Sequence, residues 1–150
     1  MDYDYAKDYD QVNAVLLPGY LETSKNCLQI PDHTGNALFE PGTLHDTSVL
    51  VAEISAEGNL ILTCVLDDYR DEPEIQHHRL DVRLTFRNAF GPIQAFLECN
   101  EAGELILDDI YSARILPTES GYSCWMRFTT GHDVLFGFSD IETETLGDWR

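Results

Sequence analysis

Apolar and polar residues alternate through most of the chain from Leu44 onward, which is the pattern of strands with one buried face. The clearest example is 79–87, where leucine, valine or phenylalanine fills every even position and charged residues or threonine every odd one. Similar patterns predict strands at 48–55, 59–66, 92–99, 105–107, 110–116, 122–129 and 134–138. Seven or eight short strands joined by hairpin turns predict a mainly β fold, either an antiparallel β-sandwich or an open barrel.

The first 43 residues follow a different pattern. Residues 1–10 alternate aspartate with tyrosine and have little to bury, so this tail is expected to fray. Residues 11–17 predict one or two helical turns. Proline and glycine then recur through 18–43, which indicates loops with one short strand at 27–30. The N-terminal segment is therefore predicted to be loop-rich and partly helical.

The length of 150 residues fits one domain, spanning 1–150, with its β core at 44–144. No apolar run is long enough to cross a membrane, and the acidic start is unlike a signal peptide, so a cytoplasmic location is expected. The four cysteines, at 27, 64, 99 and 124, form no C-x-x-C pair. They predict free and mostly buried thiols, with disulfides or a zinc site as the alternative.

Charge is the most unusual property of the composition. Nine basic residues against 27 acidic ones give a formal net charge of −18. Such a surface either serves solubility alone or attracts a basic protein partner. Because there is no basic patch to displace counterions, neither nucleic acid nor an anionic membrane is an expected partner.

No pattern of catalytic or metal-binding residues stands out. The chain lacks a G-x-S-x-G elbow, a phosphate-binding glycine loop and the usual His or Cys spacing of metal sites, so neither enzyme activity nor a metal or cofactor is predicted. The neighbouring His45 and Asp46 allow two interpretations. They are either an acid–base pair or residues that fix the start of a strand by hydrogen bonds to backbone, and the second is favoured because consecutive strand side chains diverge.

The candidate binding residues are a stripe of arginines and a pair of aspartates. Arg79, Arg83 and Arg87 would lie on the exposed face of one strand, where they either pair with carboxylates of a neighbouring strand or form an interface. Asp67 and Asp68 are also candidates, although a solvated acidic loop is the favoured explanation of them in so acidic a chain. The first interpretation of the arginines, cross-strand pairing, is favoured.

Three stretches resemble a known group of proteins: LHDTSVLVAEISAEGNLILTCVL, LDVRLTFRNA and VLFGFSDIETE. Over 44–144 they resemble small all-β immunity-type domains of bacterial polymorphic-toxin systems, with His45-Asp46-Thr47 in place of a His-Asp-Ser-type motif. Thr47 departs from the commoner serine, and the first 43 residues have no counterpart. The resemblance implies a non-enzymatic domain that binds and blocks a toxin, with no catalytic residues to transfer.

Three functional hypotheses follow. The leading one is a protein-binding module, such as an immunity-type inhibitor that holds a basic toxin through its acidic surface. The second is a small enzyme or ligand-binding β domain with a site near His45, Asp46 and His132. The third is a structural subunit that pairs through an edge strand, and the oligomeric state stays open.

Overall fold

Antiparallel strands dominate the part of the chain that the structure describes. The computed structural model describes residues 21–22, 28–40 and 44–150. A short 3-10 helix, Ile93–Leu97, interrupts the strands. The strands are β1 (Leu21–Glu22), β2 (Thr47–Ile54), β3 (Leu60–Asp67), β4 (Arg79–Arg87), β5 (Asp109–Thr118), β6 (Gly121–Phe128), β7 (Asp133–Phe138) and β8 (Asp140–Thr145).

These strands form one open sheet. Its order is β7-β6-β5-β2-β3-β4-β8, and β1 pairs with β5 beside this path. Strands β7 and β8 end the sheet on opposite sides, yet Ser139 alone separates them along the chain. The sheet must therefore bend until its two ends meet. At that corner the Ser139 amide donates to the Arg87 carbonyl at 2.9 Å, and Phe90 forms a bridge with Gly137.

The concave side of the bent sheet holds the hydrophobic core. The alternation predicted for 79–87 is confirmed, because the even positions of β4 are all buried. Phe86 of β4 packs edge-to-face against Phe136 and Phe138 of β7, with ring centroids 5.2 and 5.0 Å apart. Aromatic contacts thus join residues from opposite ends of the strand order.

The mainly β class is confirmed, whereas two of the predicted strands are wrong. Residues 92–99 contain the 3-10 helix, because Ile93 and Phe96, three positions apart, point together into the core. Residues 105–107 form no strand, and Leu105 makes only an isolated bridge with Cys99. Strand β8 was not predicted, because Ile141 is its one apolar residue and its sequence therefore shows no alternation of apolar and polar positions.

The predicted frayed tail at 1–10 and the helical turns at 11–17 lie outside the described residues. Of the strand predicted at 27–30, the last three residues are described and are not in a strand. Among the described cysteines, Cys64 and Cys124 are buried free thiols and Cys99 is an exposed one. Burial raises the pKa of the Cys64 thiol to about 12. No helix in the described ranges is long and apolar enough to cross a membrane.

A substitution at Gly121 tests how closely the backbone packs at the corner where the two ends of the sheet meet. A Cβ atom there would contact the Phe138 carbonyl and lie 2.8 Å from the Ser139 Cα, and the Gly121 φ angle of +153° is one that side chains rarely adopt. We expect Gly121→Ala to lower the free energy of unfolding by about 1–3 kcal/mol. Urea denaturation measures this, with Gly147→Ala as the control because its Cβ would meet open space. Equal stabilities of the two variants would contradict the tight corner.

Candidate functional site

The carboxylate of Asp68 is the centre of a buried polar cluster. Asp68 follows β3, and its side chain has no solvent-exposed surface. Its two oxygens accept hydrogen bonds from Arg70 Nε at 2.9 Å and Arg70 Nη2 at 2.6 Å. The backbone N–H of Arg70 donates to the same carboxylate at 3.2 Å, and His33 Nε2 lies 2.7 Å from it. This many partners are what a buried charge requires.

These contacts set the ionisation of Asp68. Burial by itself would raise the pKa of Asp68, but the hydrogen bonds from Arg70 and His33 outweigh it and hold that pKa well below its usual range. The backbone carbonyl of Asp68 also lies 2.7 Å from His78 Nδ1. Asp68 therefore stays a carboxylate at neutral pH, and it connects the loop between β3 and β4 with the segment that contains His33.

His33 leads from this buried cluster to a surface cavity of about 450 Å³. The His33 ring lies 4.2 Å from the Trp149 ring, centroid to centroid, and Trp149 Nε1 donates to the Pro31 carbonyl at 3.1 Å. Phe39 packs edge-to-face on the same indole at 5.1 Å. The indole is thus fixed on several sides. The cavity is lined by residues from around 31–35, 74–80 and 145–149.

The cavity has an acidic rim. Asp32, Glu74 and Asp148 line it, each from a different segment, together with His33 and His77. Hydrogen bonds from Thr34 outweigh a small desolvation effect and lower the pKa of Asp32, so that this carboxyl is ionised at neutral pH. In the described residues, no group of three or more His, Cys, Asp or Glu side chains is arranged to hold a metal ion. Carboxylates beside an aromatic wall are instead suited to an organic cation.

His45 and Asp46 lie in the turn before β2. His45 Nδ1 is 2.5 Å from the Tyr111 carbonyl of β5, so the predicted hydrogen bond to backbone is present. The predicted divergence of the two side chains is wrong, because Asp46 has a left-handed φ of 56° and its carboxylate lies 3.2 Å from His45 Nε2. His132 is not part of this pair. It lies in the β6–β7 turn, where its Nδ1 is 2.9 Å from Thr130 Oγ1.

The arginine stripe pairs with carboxylates across the strands. Arg83 contacts Glu144 at 3.2 Å and Arg87 contacts Glu142 at 2.7 Å, both on β8. Arg79 lies 3.8 Å from Asp67 on β3. This is the favoured cross-strand arrangement, and the role of these residues in an interface remains a prediction.

The two candidate aspartates occupy different environments. Asp67 is partly exposed beside Arg79, as a solvated acidic residue would be. The solvated-loop interpretation is wrong for Asp68, because Arg70 and His33 compensate for its complete burial. Asp68 can therefore influence a partner only through the residues that it holds.

Three residues of this site, His33, Arg70 and Trp149, were not among the candidates from sequence. The contact between His33 and Asp68 joins positions 35 apart, and that between Trp149 and Pro31 joins positions 118 apart. Of the contacts in this site, only the one between Asp68 and Arg70 could have been predicted from sequence. An aspartate and an arginine two positions apart after a buried strand can form an ion pair within one loop.

No protein family matches this chain, and neither the curated proteins nor the solved structures contain a significant match to it. The functional argument therefore depends on the residues described above and on the resemblance of the three sequence stretches.

Asp68→Asn tests the buried cluster. The amide keeps one acceptor oxygen but has no negative charge, and its NH2 group cannot accept the second bond from Arg70, so we expect a loss of about 2–3 kcal/mol in unfolding free energy at pH 7. Because the pKa of Asp68 is lowered in the folded state, its contribution is present above the unfolded value and lost as pH falls. The difference between wild type and variant should therefore shrink below about pH 4.

The matched control is Asp67→Asn, which changes the neighbouring, exposed carboxylate. An exposed ion pair is worth about 0.2–1 kcal/mol, so this variant should unfold close to wild type. Chemical denaturation at several pH values measures both variants. Equal losses for the two, or a difference that does not depend on pH, would contradict the buried ionised carboxylate.

Proposed function

We propose that this protein is a non-enzymatic binding module that holds a basic protein partner through its acidic surface. One observation carries the proposal. All seven arginines lie in the described residues, and at least six of them are already ion-paired with carboxylates of the same chain. The chain has 27 acidic residues, so most of its carboxylates have no arginine to neutralise them.

These remaining carboxylates are concentrated on loops. The exposed residues Asp71, Glu72 and Glu74 lie between β3 and β4, and Glu98, Glu101 and Glu104 lie between the 3-10 helix and β5. Charge of one sign on exposed loops produces a field that extends beyond the surface. Such a field speeds the approach of a positively charged protein and repels nucleic acid.

The resemblance of 44–144 to immunity-type domains supports a more specific form of the proposal. The partner would then be a basic toxin, such as a nuclease, in a bacterial cytoplasm, and the protein would act by blocking it. For the fold, we propose the open-barrel form rather than the sandwich, and the single bent sheet whose two end strands are joined by Ser139 supports this.

Salt dependence tests the proposed function. The tagged protein should capture a basic protein from the lysate of its own cells and release it in a salt step. With the purified partner, we expect the association rate constant to fall at least about tenfold between roughly 50 and 500 mM NaCl. Stopped-flow fluorescence measures this rate. An association rate that is unchanged by salt would show that the acidic surface is not the reason for binding.

Arg83→Gln combined with Arg87→Gln separates the acidic surface from the arginine stripe. Both arginines are exposed and ion-paired at the sheet edge, so the variant should fold. If acidic residues bind the partner, removing two positive charges leaves the affinity unchanged or raises it. A strong loss of affinity in a folded variant would instead identify the stripe as the interface.

A second function, a small enzyme or ligand-binding domain, is favoured by the geometry of His45. The His45 ring lies between the Asp46 carboxylate and the Tyr111 carbonyl, and it packs edge-to-face with Tyr69 at 5.6 Å. An imidazole held by a carboxylate can transfer a proton.

His45→Ala distinguishes this second function from a structural role. We expect the variant to bind the basic partner as wild type does and to lose about 1–2 kcal/mol of stability, as the hydrogen bond to β5 disappears. Thermal unfolding and partner affinity measure the two effects. A folded His45→Ala variant that loses turnover of a small molecule would favour the enzyme.

A further inference from the structure

We infer that the cavity beside Trp149 receives the guanidinium group of an arginine side chain from the basic partner. This inference rests on the proposed function and names the chemical group that the acidic surface recognises. It concerns Asp32, Glu74, Asp148 and Trp149, none of which was a candidate from sequence.

The size and rigidity of the cavity are those of a binding pocket. Its volume of about 450 Å³ falls in the range of small-ligand pockets, roughly 300–1,000 Å³. The wall is held in place, because Trp149 donates to the Pro31 carbonyl and packs against His33, which the buried Asp68 fixes in turn. A wall with fixed side chains loses little conformational entropy when a ligand binds.

The charge of the lining selects a cation. Within the described residues, the side chains of Glu74 and Asp148 have no hydrogen-bond or ion-pair partner, and the Asp32 carboxylate accepts hydrogen bonds from Thr34. These carboxylates would repel an anion, and a neutral group would leave Glu74 and Asp148 without a positive partner. A metal ion is disfavoured, because the described side chains contain no group arranged to hold one.

The aromatic wall selects a guanidinium among the cations. A guanidinium is planar and weakly hydrated, so it can stack on an indole while its N–H groups bind carboxylates at its edge. An ammonium is compact and strongly hydrated, and it gains less from such a wall. The three carboxylates come from three segments around Trp149, which suits a group with five N–H donors.

The test uses a fluorescein-labelled hexa-arginine peptide, with hexa-citrulline as a neutral peptide of the same shape and hexa-lysine as the ammonium probe. One triple variant, Asp32→Asn with Glu74→Gln and Asp148→Asn, removes the carboxylates of the cavity. The control, Glu98→Gln with Glu101→Gln and Glu104→Gln, removes the same charge from exposed positions of another loop. Because the two variants have equal net charge, a difference between them reports the cavity alone.

We expect wild type to bind hexa-arginine more tightly than hexa-lysine and not to bind hexa-citrulline in fluorescence anisotropy. The cavity variant should lose about tenfold in affinity relative to the control. The chain contains two tryptophans, Trp149 at the cavity and Trp125 buried in β6, which provide an internal reference. In a ¹H–¹⁵N spectrum, hexa-arginine should shift the indole signal of Trp149 and leave that of Trp125 in place.

The outcomes separate this inference from the proposed function. If both triple variants weaken equally and the Trp149 signal does not move, the cavity is not the site, while binding through the acidic surface still holds. If wild type binds none of the peptides, the inference is overturned, and the salt dependence of the protein partner alone decides the proposed function. Glu74→Gln with Asp148→Asn repeats the test without changing Asp32, whose carboxylate accepts hydrogen bonds from Thr34 within its turn.

Discussion

The bend that brings the two ends of the sheet together is the constraint on which the rest of the structure depends. Ser139 is the only residue between strands that lie at opposite ends of the strand order. The aromatic contacts of Phe86 with β7 follow from that bend, and so does the position of β8 along β4. Beyond β8, the chain continues beside β4, where Arg150 exchanges backbone hydrogen bonds with Arg79. This path carries Trp149 to the loop that contains His33.

The second level of organisation is polar. Two parts of the chain, the loop between β3 and β4 and the segment that contains His33, meet at the Asp68 carboxylate. A buried carboxylate without partners would be costly, so Arg70 and His33 must both reach it for the loops to adopt this arrangement. The cavity beside Trp149 is the outer surface of the same arrangement. Its wall therefore depends both on the Asp68–His33 contact and on the packing of His33 and Phe39 against Trp149.

Elements that are determined by their own residues could be predicted from the sequence, and elements that depend on distant partners could not. The strand at 79–87 was predicted within its observed bounds, because alternation records a buried and an exposed face. Strand β8 escaped prediction because its partners, the arginines of β4, lie far away in sequence and its own residues are mostly acidic. The His33–Asp68 contact was equally hidden. Contacts between distant loops produce no periodic pattern in the sequence, so the cavity could be identified only from the structure.

The pairing of β4 with β8 has a consequence for how the protein folds. Arg83 contacts Glu144, 61 positions away, and Arg87 contacts Glu142, 55 positions away, so the pairing of β8 with β4 costs chain entropy before these contacts form. Domains dominated by such long-range pairings fold slowly, in milliseconds to seconds. Before β8 pairs with β4, the backbone N–H and C=O groups on that edge of β4 can pair with a strand of another molecule. The positive charges of the β4 arginines disfavour such pairing between two copies of β4. The arginines that later pair with β8 are thus charges of the kind that disfavour edge-to-edge association of strands.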